Sequence, residues 1–227
     1  MIKAVMFDFD MTLVDSSHAI TEGMNFIARK EGLRLLSHAE VLGIIGMPIE
    51  ESWELVWGRY DESWLQHYRE SFRETEYKGI NLYSGTLPLL NDLRSMGIAL
   101  GVASNRSKVT SVVRAVGLEE FFLCTLGLDD VERPKPAPDM LIMGMEILGS
   151  SPAETLYLGD TEADIAAAVA AGVRAVGVTT GNLDHESLLN AGAWLTLSDI
   201  SGLKDIVMRE MDNSLLQKDT LGVAEVS

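Results

Sequence analysis

Two aspartates stand one residue apart near the start of the chain, in Phe7-Asp8-Phe9-Asp10. On an extended strand alternate side chains face the same way, so Asp8 and Asp10 point together while Phe7 and Phe9 turn into packing. Two carboxylates held side by side repel each other unless a cation lies between them or they share a proton. A second acidic cluster, Gly159-Asp160-Thr161-Glu162-Ala163-Asp164, reads as a strand end running into a helix, with Asp164 one turn on from Asp160. Helix capping accounts for one of these acids but does not require two. Hard cations such as Mg2+ take oxygen ligands, so Asp8, Asp10 and Asp160 brought together would make an octahedral site completed by waters.

Two further segments carry groups suited to an anion. Ser104-Asn105 ends an apolar run, where a hydroxyl and the N–H groups of a helix start can hold phosphate oxygens. A simple helix N-cap would read the same way. In Arg133-Pro134-Lys135-Pro136-Ala137-Pro138-Asp139 three prolines stiffen the backbone around Lys135. A lysine on a rigid loop is a dependable point charge for a phosphoryl oxygen, although a solvated surface lysine is the plainer alternative. Other chemistry finds no support. No G-x-x-x-x-G-K-[ST] or G-x-G-x-x-G occurs, and His18, His38, His67 and His185 lack metal or triad spacing. Cys124 lies in the apolar run 121–126 and reads as a buried strand residue. Asn105-Arg106-Ser107 fits a glycosylation pattern, which is empty without a secretory signal.

The elements that must position these residues follow from hydrophobic patterning. Ala4–Phe9, Ile98–Ser104, Thr155–Gly159 and Val173–Val178 read as buried strands ending in small or polar residues. Helical periodicity predicts Leu87–Met96, Val109–Val116, Asp139–Leu148 and Ile165–Ala171, each followed by a glycine stop. Strands alternating with helices imply a parallel sheet covered on both faces. Residues 16–82 break the rhythm. Ile20, Met24, Ile27 and Ala28 form one helical stripe, and Trp53, Val56, Trp57, Tyr60, Trp64, Tyr68 and Phe72 another. An aromatic stripe at this spacing reads as core, so the segment is expected to be an all-helical insert. The tail from about Met211 is expected to be loosely ordered.

The 227 residues carry 18 Lys+Arg against 34 Asp+Glu, a formal net charge of -16. That balance argues against nucleic acid and against an anionic membrane surface as partners. No run of about 20 apolar residues occurs, so no membrane helix is expected. One cysteine and no signal-like start suggest a cytoplasmic protein. The 47% hydrophobic content supplies a sizeable core. A chain this negative would host an anion poorly unless a cation reverses the local sign.

Taken in order, Asp8-Phe9-Asp10-Met11-Thr12-Leu13-Val14-Asp15-Ser16, Ser104-Asn105, Lys135 in KPAPD and Gly159–Asp164 resemble the haloacid dehalogenase-like (HAD) superfamily of phosphatases. The resemblance implies an α/β fold, a Rossmann-like doubly wound parallel sheet over 1–15 and 83–227, with 16–82 as a helical cap domain. Within the superfamily it is similar to the phosphoglycolate phosphatase and β-phosphoglucomutase branch, and Gly46-Met47-Pro48 resembles a cap loop that meets substrate there. Roles follow by resemblance. Asp8 is the expected nucleophile, forming an aspartyl-phosphate, and Asp10 the acid and base. Thr12, Ser104, Asn105, Gly46 and Lys135 are expected at the phosphate or substrate. Asp8, Asp10 (through its backbone carbonyl), Asp160 and Asp164 are the expected Mg2+ ligands or their orienters. Met11 stands where the family usually has glycine, which would strain a turn that needs positive φ. The implied activity is a Mg2+-dependent phosphatase for a small phosphorylated metabolite, acting as monomer or homodimer. A phosphomutase is the enzymatic alternative, and a non-catalytic phospho-acceptor or binding protein on the same fold the alternative of another class. Arg34, Arg59, Arg69 and Arg73 are the insert cations that could meet the substrate.

Overall fold

The protein is described here by a computed structural model covering residues 1–75 and 78–222, with side chains described outside 69–77 and 213–222. The chain opens with β1 (Ala4–Phe7), β2 (Val14–Asp15), α1 (Ser17–Glu31), α2 (His38–Leu42), α3 (Ile49–Trp57) and α4 (Glu62–Thr75). It continues through β3 (Asn81–Leu82), α5 (Thr86–Ser95), β4 (Ala99–Ala103), α6 (Val109–Ala115), β5 (Cys124–Leu126) and α7 (Asp139–Leu148). It ends with β6 (Thr155–Gly159), α8 (Glu162–Ala170), β7 (Arg174–Val178), α9 (His185–Asn190), β8 (Leu195–Leu197) and α10 (Leu203–Gly222).

Among the described residues, six strands form one parallel sheet in the order β5-β4-β1-β6-β7-β8. β1 and β6 are buried along their whole length, as strands covered on both faces must be. Alternation divides the core in two. Val5, Phe7, Leu100 and Val102 face α5, α6 and α10, while Met6, Ala103 and Tyr157 face α7, α8 and α9. The chain lays down β1, β4 and β5 outward on one side, then β6, β7 and β8 on the other. The order therefore reverses at β1 and β6, where ligands of doubly wound sheets bind beyond the strand ends.

α1 to α4 lie between β2 and β3, which pair antiparallel with Val14 opposite Leu82 and Asp15 opposite Asn81. Both chain crossings into this helical segment are thus tied into one ribbon. The segment has its own apolar cluster, including Met24, Ile27, Val41, Trp53 and Trp64. Trp53 sits at its centre, with ring centroids of Trp57, Tyr60, Trp64 and Tyr68 between 5.7 and 6.0 Å away. The aromatic stripe is core, as its spacing predicts; Phe72 lies outside the described side chains.

Several details differ from the sequence analysis. β1 ends at Phe7 rather than Phe9, as the chain leaves the sheet ahead of the turn at 11–13, though Phe9 still packs in the same cluster as Phe7. β8 and α9 were not predicted: at three and six residues, each is too short for its period to register. α10 has regular backbone from Leu203 to Gly222, and Met211 packs against the core.

Candidate active site

Asp8 follows β1 directly, its N–H donating to Leu158 O of β6 at 2.7 Å. Asp8 is 6% exposed, and its carboxylate meets Lys135, which is 3% exposed. Nζ of Lys135 lies 2.7 Å from Asp8 Oδ1, 2.5 Å from Asp164 Oδ1, 2.9 Å from the Tyr157 hydroxyl and 3.0 Å from Ala103 O. One ammonium therefore joins the ends of β1, β4 and β6 to α8. The proline loop does not fix it alone: Asn105 Nδ2 donates to Lys135 O at 2.8 Å, and its Oδ1 accepts from Lys135 N at 3.0 Å. Burial disfavours the charge on Lys135, but Asp164 and Asp8 outweigh it and raise its pKa above the usual lysine value. For Asp8 burial comes first, joined by repulsion from Asp164 and Asp10 against the pull of Lys135, and the carboxyl is pushed up to about 7.

Asp160 ends β6 and Asp164 lies in the first turn of α8. Thr161 caps that helix, its hydroxyl accepting from Asp164 N at 3.2 Å. Asp164 answers with Oδ2, which accepts from Thr161 N at 3.0 Å and from Thr161 Oγ1 at 2.6 Å. Its Oδ1 accepts from Lys135 and, at 2.8 Å, from Tyr157. All four acceptor positions of this carboxylate are engaged, so Asp164 orients Lys135 and the helix start. Asp160 keeps more capacity: Oδ1 accepts from Thr12 Oγ1 at 3.1 Å. Gly181 backs onto its other oxygen, and a Cβ there would stand 2.0 Å from Oδ2.

Oxygens of Asp8, Asp160 and Asp164 lie within 4.8 Å of one another, all buried. Among the described groups Lys135 is the cation in contact with them. Burial, then Asp164 and Asp8, push Asp160 well above the ordinary carboxylate value. Two carboxyls raised in this way mark a deficit of positive charge. A hard divalent cation held by Asp8 and Asp160 would supply it, so the donor set fits Mg2+.

Asp10 lies outside that cluster. Arg106 Nε donates to its Oδ2 and Nη2 to its Oδ1, each at 2.8 Å, a bidentate fork with both side chains 11% exposed. Burial raises the Asp10 carboxyl, but the Arg106 charge and hydrogen bonds prevail and hold it below the usual range. Any contact of Asp10 with a metal would rest on its backbone carbonyl, as the resemblance implies. The turn beyond it puts Met11 at φ 59°, so methionine occupies the left-handed backbone that favours glycine. Met11 is nevertheless buried, its N–H donating to Val14 O at 2.8 Å and its carbonyl accepting from Thr180 Oγ1. A cavity of about 470 Å³ opens above these groups, with Asp8, Asp10, Ser104 and Lys135 at one end and residues of α1, the α2–α3 loop, α3 and α4 at the other.

The profile of haloacid dehalogenase-like hydrolases matches residues 5–178. The chain belongs to this family. A phosphoglycolate phosphatase of Chromobacterium violaceum is 31% identical over 221 residues, 91% of this chain and 96% of that protein. Pyrophosphatase PpaX of Anoxybacillus flavithermus is 27% identical over 209 residues, 91% and 97% of the two chains. Among solved structures, a haloacid dehalogenase-like hydrolase of Bacteroides fragilis superposes with a TM-score of 0.81 at 29% identity, covering 89% of this chain and all of that one. The protein is therefore an enzyme of the HAD hydrolase fold, with phosphatases among its relatives.

Within this family frame the sequence-derived residues fall into groups. Asp8, Asp10, Ser104, Asn105, Lys135, Asp164 and Gly46 all line the cavity. Asp160 stands beneath it in contact with Thr12, whose hydroxyl is turned to that carboxylate. Asn105 clamps the Lys135 backbone. Gly46, at φ 92°, brings the insert loop onto Thr161, where a Cβ would stand 2.8 Å from Thr161 Cγ2. The insert cations do not converge: Arg34 pairs with Glu40 at 2.7 Å and Arg59 lies over the Trp64 ring at 4.9 Å, both away from the cavity. The side chains of Arg69 and Arg73 lie outside the described residues. Sequence reasoning missed Arg106, Tyr157 and Gly181. Arg106 directly follows Ser104-Asn105, and a basic residue beside an anion-binding segment is the signal that could have found it.

Proposed function

We propose that this chain is a Mg2+-dependent phosphatase of small phosphorylated metabolites, working through an aspartyl-phosphate on Asp8, with residues 16–82 as its cap. The observation that carries the reading is the buried contact of Lys135 with both Asp8 and Asp164 at the β1–β6 reversal, on the floor of the cavity. An Asp8 oxygen attacks phosphorus, forming an O–P bond as the ester P–O bond breaks. The leaving oxygen takes a proton from Asp10. In the second half Asp10 takes a proton from water, whose oxygen attacks phosphorus, breaks the Asp8–phosphorus bond and frees phosphate. Lys135, held by Asn105 and Asp164, places its charge beside the attacking carboxylate and the phosphoryl oxygens. Asp8, Asp160 and the Asp10 carbonyl would hold Mg2+, which would supply positive charge to keep Asp8 ionised and offset the phosphoryl oxygens. Asp10 enters the first half protonated, and Arg106 stabilises the carboxylate left once that proton has gone, the form that accepts the proton of water. Gly46 on Thr161 brings the cap loop against the core beside Asp160, a contact suited to excluding bulk water. The acidic charge and single cysteine support a cytoplasmic setting.

Phosphate release from p-nitrophenyl phosphate tests the reading. Release is expected with Mg2+, and is expected to vanish with chelator or in Asp8→Asn that retains its circular dichroism. No release from this ester or from a panel of phosphate monoesters would overturn it.

A further inference from the structure

The two ends of the cavity differ in chemistry. The phosphoryl end is polar, built from Asp8, Ser104 and Lys135. The far wall comes from the helical insert and is largely aliphatic, with Ile20 and Met24 of α1, Ile44 and Ile45 after α2, Ile49 of α3 and Leu65 of α4, beside the hydroxyl-bearing Ser52 and Tyr68. None of the described insert cations reaches it. Arg29 stands by Glu22, Lys30 by His67, Arg34 by Glu40 and Arg59 over Trp64. The charged groups lining the cavity beyond Arg106 are Lys108, Glu50 and Asp129, one cation against two acids. Asp129 is already turned to this loop, accepting from Lys108 N at 2.7 Å. Seating a second anion against this wall would strip its hydration with no cation among the described wall residues to replace it, since Lys108 stands on the core side of the cavity. Seating an apolar group would remove aliphatic surface from water on both sides.

We propose that the leaving group of this phosphatase is an uncharged, mainly apolar alcohol, so that the substrate is an alkyl or aryl phosphate monoester. The proposal rests on the phosphatase reading and adds the substrate class. It sets the chain apart from what the names of its relatives describe, since pyrophosphate and phosphoglycolate both carry a second anionic group. The wall formed by Ile44, Ile45 and Ile49 acts as the selector, and the polar floor serves any monoester equally.

The test is kcat/KM of the full chain with Mg2+ on n-alkyl phosphates from methyl to hexyl, phenyl phosphate, phosphoglycolate and pyrophosphate. Each added methylene is expected to raise kcat/KM by about threefold to fourfold until the far wall is reached. Phenyl phosphate should exceed phosphoglycolate by about tenfold or more. A flat alkyl series, or phosphoglycolate or pyrophosphate outrunning every ester, overturns the apolar assignment while leaving the phosphatase reading in place. No turnover of any compound overturns both. Ile45→Lys, folded by circular dichroism, places an ammonium at the half-buried far wall. It should move the phenyl phosphate to phosphoglycolate ratio about tenfold toward the acid. An unmoved ratio removes Ile45 from the selecting wall and overturns the proposal.

Discussion

Replacing Lys135 by methionine keeps the buried stem and removes the one described ammonium in contact with the carboxylate cluster. Asp8 Oδ1 loses its 2.7 Å partner, and Asp164 Oδ1 is left with Tyr157 alone. Removing one side of a buried ion pair costs about 3–5 kcal/mol, a large share of the roughly 5–15 kcal/mol that holds a domain folded. A proton limits the loss. Asp8 already sits near 7 without metal, so at pH 5 it is protonated in the native chain and its contact with Lys135 is weaker. At pH 8 the variant must bear or neutralise an ionised Asp8 with no cation beside it. The expected destabilisation is therefore about 4 kcal/mol at pH 8 and about 2 kcal/mol at pH 5. Urea unfolding followed by far-ultraviolet circular dichroism, with chelator present, reads both values. A loss below about 1 kcal/mol at pH 8, the size of an exposed pair, or an equal loss at both pH values, would refute the reasoning.

Metal-free stability should fall as pH rises from about 4 to about 7, because raised Asp8 and Asp160 make the folded chain bind more protons than the unfolded one across that window. Mg2+ requires the ionised forms, so its increment in Tm should be larger at pH 8 than at pH 5; calorimetry giving equal increments would contradict this. Gly181→Ala drives a Cβ to 2.0 Å from Asp160 Oδ2. The Mg2+ concentration for half-maximal activity should rise about 10- to 100-fold with little change in circular dichroism, and an unchanged requirement would detach Gly181 from the metal site. Arg106→Ala frees Asp10 from the fork that lowers its pKa, so the alkaline limb of the kcat/KM profile on an alkyl ester, set by the protonated Asp10 that the first step needs, should shift to higher pH. Arg106→Lys keeps the charge without the fork and should fall between the two, whereas an unmoved limb in both variants would separate Arg106 from the acid–base step.

What could be read from sequence depended on how local each signal is. β6 is a continuous buried run and was legible from 155 to 159, and the carboxylates at the ends of β1 and β6 were legible because strand ends in a parallel sheet gather at one edge. Lys135 stood out through its prolines, but what fixes it did not: Asn105 lies 30 residues earlier and Tyr157 22 later. Tyr157 sits in a strand where every residue is buried, so its hydroxyl reads as core. Arg106 resembles any loop arginine until the fold brings it to Asp10, 96 residues away. Asp164 is legible as an acid of the site, yet it is the fold that engages both its oxygens. The far wall of the cavity was hidden for a similar reason. Ile20 and Met24 belong to the apolar stripe of α1, and nothing in its spacing separates core positions from those that face the cavity.

The central claim, a phosphoryl group carried by Asp8, is best tested in Asp10→Asn. p-Nitrophenolate leaves without needing a proton, so the first step survives while the base for the second is missing. Rapid mixing with p-nitrophenyl phosphate and Mg2+ should release about one nitrophenolate per active site in a burst. Acid quench and peptide mass spectrometry should then find one phosphoryl group on the peptide carrying Asp8. Steady turnover with that peptide unmodified at every quench time, or with the phosphoryl group on another residue, would contradict the account.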